Sequence, residues 1–176
     1  EWGDYVQGLT WVLGQQGFSI DGFDLDLSST VPLGSGLSSS AALEVATLRA
    51  LREAFDLQLP DVELARAAQR AEVEFVGAPV GIMDQMAASL AGEGEALFID
   101  TRSLSFERIR LPPALELVVI NSGVTHQHAG GDYVTRRREA EAAAEQLGVE
   151  KLRDVGLDDM PRIQRLSPLL AMRARH

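Results

Sequence analysis

Three features of this sequence predict a chain that combines helices and strands, an α/β (α+β) fold. Phe23, Leu25 and Leu27 alternate with Asp24, Asp26 and Ser28, as in a strand with one buried face, and run into a glycine turn and a helical pattern. Two short strand patterns lie close together at residues 96–100 and 106–111, which predicts antiparallel pairing. Elsewhere, apolar residues recur three and four apart, the spacing of amphipathic helices.

Trp2, Tyr5, Val6, Leu9 and Leu13 follow helical spacing, predicting a first helix with its aromatics in the core, ended near Gly14 or Gly17. A strand is expected over residues 19–29. After the glycine turn a helix should begin near Ser38, with Leu48, Leu51 and Phe55 on its buried face and Glu44 read as a solvated surface residue. Pro60 and Asp61 open another helix whose stripe is Leu64, Ala68, Ala71 and Phe75. Glu72 and Glu74 fall near its end, against the helix macrodipole, and such a local conflict can mark function. The turn-rich residues 77–81 lead to a helix in which Asp84 sits among Ile82, Met83 and Met86. Residues 115–121 are the most apolar run and are expected as a central strand. A long helix opens near Gly130 and runs to Leu147, and the more polar remainder reads as helix broken by Pro161 and Pro168.

Residues 32–42 carry the most chemistry. Pro32, Leu33, Gly34, Ser35, Gly36 and Leu37 lead into Ser38, Ser39, Ser40, Ala41 and Ala42. A strand, glycine turn and helix in that order aim several backbone N–H groups and a helix N-terminus at one point, where an anion is favoured. Glycine allows close approach and positive φ, and the serine hydroxyls add donors. A Gly/Ser turn before a helix also serves simply as a turn and N-cap. It is not a Walker-type loop, because no Lys follows Gly36 at the required spacing. Asp84 has two readings as well: a helix-terminal carboxylate held by backbone N–H groups, or a positioned group that accepts a proton. His126 and His128 lack a third metal ligand, and Arg136, Arg137 and Arg138 face different sides of a helix among acidic neighbours.

Composition narrows the classes. The 176 residues are 45% hydrophobic and 24% charged, enough for a core in one domain or part of a two-lobed one. A net charge of -10 disfavours non-specific binding to nucleic acid or anionic membranes, without opposing a small anionic ligand in a local pocket. With no cysteine, disulfides and thiolate metal sites are excluded. No apolar stretch spans a bilayer and no signal-peptide pattern opens the chain, so a cytoplasmic location is expected. The sequence starts without Met and stops without a C-cap, as expected of part of a longer protein.

Several separated blocks, in order, resemble the GHMP small-molecule kinases and most closely their galactokinase branch. They are Glu1-Trp2 with Tyr5-Val6; residues 32–46; Ala71-Glu72, Phe75, Gly77 and Gly81-Ile82-Met83-Asp84-Gln85; residues 99–104; Asn121-Ser122; Asp132-Tyr133 with Arg136-Arg137-Arg138-Glu139; and the closing residues 172–176. The resemblance implies a GHMP-type two-lobed fold and ATP-dependent phosphorylation of galactose at its C1 hydroxyl. On this basis a phosphate-loop lobe is expected over roughly residues 1–95 and the start of a second over roughly 96–176. By matching position, Asp84 is implied as the catalytic carboxylate, Ser40 and Glu72 as neighbours of Mg²⁺, and Gly81 and Tyr133, with Asp84, as sugar contacts. Pro32, Gly34, Ser35, Gly36, Leu37, Ser38, Ser39 and Ser40 are implied to bind the nucleotide. The family's N-terminal sugar-binding motif and its C-terminal glycine-rich motif are absent, so the chain is expected to carry the phosphate loop and the base without the full sugar pocket. Three alternatives stand beside this reading: another GHMP enzyme of the mevalonate or homoserine kinase type, a remnant with only a structural role, and a galactokinase-like sensor that binds the same ligands without catalysis. Such sensors have a shortened serine–alanine loop, whereas residues 38–42 here are full length.

Overall fold

In the computed structural model, the described residues are 2–120 and 129–176, with the side chains of 129–133 left out. The chain divides into two compact units, Glu1–Thr125 and His126–His176. None of the described helices is long and apolar enough to cross a membrane.

The first unit is built on four helices. Helix α1 spans Trp2–Gln15, α2 Ser39–Ala54, α3 Asp61–Arg70 and α4 Met83–Leu90. The apolar stripes of the first three meet in one core, where Leu9, Val12 and Leu13 of α1 pack with Val45, Leu48 and Leu51 of α2 and Leu64, Ala67 and Ala68 of α3, while Met86 and Leu90 of α4 form a second cluster with Ala65 of α3. Each fully buried leucine contributes about 1.5–3 kcal/mol relative to exposure. The predicted core role fails for Trp2, which is 62% exposed, because the buried face of α1 centres on Leu9 and Leu13 two turns further on. Phe75 lies at the rim, its ring 6.0 Å from that of Trp11.

The α+β expectation holds through one ladder. Strands β1 (Glu95–Ile99) and β2 (Phe106–Arg110) pair antiparallel, with Glu95 opposite Arg110 and Ile99 opposite Phe106. Two other expected strands are absent as ladders. Residues 19–29 have no strand assignment, although Ile20 packs on the core and Phe23 meets Phe55 edge to face at 6.4 Å. Residues 115–120 are likewise outside any ladder and exposed, Ile120 to 85%. Alternating or apolar sequence specifies which side of a strand is buried, but a strand exists only where a second one accepts its hydrogen bonds. Among the described residues only β1 and β2 supply that to each other.

Helix α3 ends in a widened turn. Residues Ala71–Val76 form a π-helical segment that closes at Gly77, with φ at +84°. Such widened turns occur frequently at functional sites. The C-terminus of α4 is held from outside: Arg49 of α2 donates to the Ser89 carbonyl at 2.7 Å and Arg108 of β2 to that of Leu90 at 2.8 Å. These carbonyls are among those a helix end leaves unpaired.

In the second unit, α5 (Ala129–Leu147) packs with α7 (Pro168–Arg175), and Leu147, Ile163 and Ala171 form a small core. Between them lie two short 3₁₀ turns and α6 (Met160–Ile163). Pro161 and Pro168 open α6 and α7 rather than break a helix, since the first turn needs no N–H from them. Ser167 caps α7 by accepting from the Leu170 N–H. Arg137 pairs with Glu141 at 3.0 Å on an exposed face, in keeping with a solvated run of arginines.

Candidate active site

The glycine turn takes the conformation its residues permit. Gly34 and Gly36 have φ of +68° and +77°, and a Cβ at either would meet no atom within 4 Å. The turn is exposed, with Pro32, Gly34, Gly36 and Leu37 open to solvent and Ser35 donating to the Pro32 carbonyl at 2.7 Å. Ser38 follows in the left-handed region at φ 53° and makes no side-chain cap bond to α2. The leading N–H groups of α2, at Ser39 and Ser40, therefore open beside a turn with two glycines and no side-chain oxygen of Ser38 over them. An uncapped helix N-terminus beside a glycine turn is a place for an anion.

Ser40 connects this turn to a buried polar cluster. It lies one helical turn before Glu44, so both project from the same side of α2. The Ser40 hydroxyl and the Asp84 charge both lie close enough to Glu72 to act on its carboxyl. Gln85, the residue after Asp84 in α4, reaches both glutamates: its Nε2 donates to Glu72 Oε2 at 2.7 Å and to Glu44 Oε2 at 3.2 Å. Glu44 is 0% exposed, Gln85 1% and Glu72 4%. Of the residues expected at the site, Ser40, Glu72 and Asp84 are thus brought together. Gly81 is exposed in the turn before α4. Tyr133 falls in α5, and its side chain lies outside the described residues, as do residues 121–128 with Asn121, Ser122, His126 and His128.

Glu44 corrects the expectation of a solvated glutamate. It is fully buried because it shares the inner face of α2 with Ala41, Leu48 and Leu51, three, four and seven residues away. That periodicity was available in the sequence; the presence of carboxylate partners across the core was not. Gln85 was likewise visible only as part of a motif block.

Burial pushes the Glu44 carboxyl up to about 8, and the neighbouring Glu72 charge adds to the rise. Glu72 is also raised, chiefly by burial, while the Ser40 hydroxyl opposes the shift. The Glu44 carboxyl holds its proton at neutral pH, which relieves repulsion between two buried carboxyl groups. Tyr5 is raised as well, by burial and then by Glu72 and Glu44.

This has a consequence for stability. Between the ordinary glutamate value of 4.5 and about 8, the folded chain keeps a proton on Glu44 that the unfolded chain releases. The stabilisation is full below the lower value and is lost as pH rises toward the upper one, with a limiting slope of about 1.4 kcal/mol per pH unit for one proton. Glu44→Gln, which has no such proton to lose, is expected to flatten the fall in unfolding free energy across this window. Parallel denaturant-derived curves for the two proteins would remove Glu44 as its source.

The donor set consists of hard oxygens, as Mg²⁺ prefers. Glu44 Oε1 and Gln85 Oε1 are buried without a protein partner. Among the described residues no three acidic or histidine side chains form a ready cage. Mg²⁺ is commonly held by one or two carboxylates plus substrate phosphates rather than by an all-protein cage, so Ser40 and Glu72 fit such an ion.

The family described as GHMP kinases N terminal domain matches residues 4–92. A galactokinase of Streptomyces coelicolor is 47% identical over 162 residues, covering 90% of this chain and 42% of that protein. A galactokinase of Thermococcus kodakarensis is 40% identical over 162 residues, covering 92% of this chain and 46% of that protein. The crystal structure of Lactococcus lactis galactokinase complexed with galactose superposes with a TM-score of 0.86 at 28% identity, over 100% of this chain and 47% of that one. The chain spans less than half the length of these relatives. Because the family's N-terminal domain matches half of the chain, and that half contains the glycine turn, both buried glutamates and Asp84, this chain belongs to the GHMP kinases.

Proposed function

We propose that the protein phosphorylates galactose at its C1 hydroxyl, using ATP with Mg²⁺, in the cytoplasm. The observation that carries this reading is the convergence of Ser40, Glu72 and Asp84 at the foot of a glycine turn that opens a helix N-terminus. Phosphoryl transfer asks for positioning and charge neutralisation more than covalent chemistry. Residues 32–40 supply backbone and hydroxyl donors for the phosphates, and the positive end of α2 adds to them. Ser40 and Glu72 would hold the cation, which when bound neutralises charge on the phosphates. Asp84 orients the sugar C1 hydroxyl and takes its proton. The sugar oxygen bonds to the γ-phosphorus, the bond from that phosphorus to the β–γ bridging oxygen breaks, and ADP leaves. Similarity to galactokinases, one of them solved with galactose, supports the choice of sugar, and the resemblance adds Gly81 and Tyr133 as its contacts.

The test is galactose-dependent ADP release by the complete gene product, with the phosphate position on the sugar assigned by phosphorus NMR. Absence of turnover with galactose, alongside turnover of another small alcohol, would move the protein to a different GHMP activity. For the metal-side residues, Glu72→Gln is expected to raise the Mg²⁺ concentration giving half-maximal rate by about tenfold or more, within the range for loss of a charged hydrogen-bonding group. A change in thermal stability alone would make Glu72 purely structural.

A further inference from the structure

We propose that Gln85 is a positioning residue that holds the Glu72 carboxylate in place beside Ser40, with Glu44 as the buried anchor for Gln85 itself. The inference rests on the reading of Ser40 and Glu72 as the metal-side groups. Both N–H bonds of one side-chain amide are spent on two carboxyl groups from two other elements, Glu72 of the π-helical segment at 2.7 Å and Glu44 of α2 at 3.2 Å. An amide has two N–H donors and no more, so Gln85 is fully committed as a donor. With acidic oxygens on both sides, the amide is fixed with its nitrogen toward them, since the opposite orientation would set its carbonyl oxygen against the same groups.

Three features suit the arrangement to holding a ligand group rather than only filling the core. Gln85 is adjacent in sequence to Asp84, so one turn of α4 presents the proton acceptor and, beside it, the group that fixes Glu72. Its helix is immobilised at the far end by Arg49 and Arg108. Gln85 Oε1 and Glu44 Oε1 remain buried and without a protein partner, although a core that needed only filling is served at lower cost by apolar side chains. Groups that orient a metal-side ligand in this way typically change metal affinity or activity by about 10–100-fold when removed.

Gln85→Met keeps the length and volume and removes both donors. In the complete gene product it is expected to reduce by about 10–100-fold the gain in ATP affinity that Mg²⁺ brings, measured by calorimetry with and without the cation. Affinity for ATP without Mg²⁺ should stay near that of the parent, because the glycine turn is untouched. The half-saturating Mg²⁺ concentration for turnover should rise more than kcat at saturating Mg²⁺ falls. Combined with Glu72→Gln, the second change should add little, since both remove the same positioned carboxylate. If Gln85→Met does not fold, Gln85→Asn, which keeps the amide but withdraws it by one methylene, is measured instead, with the same expectations. Additive effects, or a lowered melting temperature with an unchanged Mg²⁺ increment, would overturn the inference while leaving the reading of Glu72 intact. An unchanged Mg²⁺ increment in Glu72→Gln itself would overturn both.

Discussion

Asp84→Asn in the complete gene product is expected to lower kcat by about 10²–10⁴, the usual range for a lost general base, while ATP affinity changes little. Asn is nearly isosteric with Asp but cannot take a proton from the sugar hydroxyl. The fold should tolerate the change. Asp84 is half-buried in the first turn of α4 and is flanked by exposed Met83. The packing of this turn comes from Met86 with Ile82 and Leu90, not from the carboxylate. ATP should bind as before because the donors proposed for its phosphates belong to residues 32–40 and the start of α2. Loss of the Asp84 charge also takes one negative group away from Glu72, so any effect on the cation should be a modest weakening of its binding. The decisive measurement is galactose-dependent ADP release beside calorimetric ATP affinity. A kcat within a few-fold of the parent, with ATP binding intact, would leave Asp84 as a helix-terminal carboxylate.

Gly36→Val should weaken ATP binding by about 10–100-fold, the equivalent of roughly 1.4–2.8 kcal/mol. Two effects combine. Gly36 sits at φ +77°, where a β-branched residue is strained by about 1–3 kcal/mol. The valine relieves that strain by moving the turn, and the N–H groups it presents move with it. The open space around Gly36 would also receive a branched side chain where, on the proposed reading, a phosphate approaches. That same openness protects the fold: an added Cβ meets no protein atom within 4 Å, and the turn contributes nothing to the core. The variant should therefore melt close to the parent. Equal ATP affinity in such a variant would show that the turn is not where phosphate binds.

Much of this molecule can be read from local pattern. The helices over residues 2–15, 39–54, 61–70 and 83–90 follow from apolar residues three and four apart, and the β1–β2 pairing from two short alternating runs. These features depend on contacts between near neighbours, which the order of residues encodes directly. The positive φ values at Gly34 and Gly36 follow equally from glycine's lack of a side chain. The kinase resemblance, and with it Ser40, Glu72 and Asp84, was also legible as a motif. What the sequence left open was the company these residues keep. The pattern at residues 19–29 and 115–120 indicates strand faces but no ladder forms there, because hydrogen-bond partners come from distant chain. Glu44 reads as surface from its charge, yet its place on the inner face of α2 puts it at full burial against Glu72. Gln85 is an ordinary polar residue in the sequence and a two-way bridge in the fold. Only tertiary packing decides these points, since burial and charge coupling depend on groups 13 and 41 residues apart being pressed into one dry space.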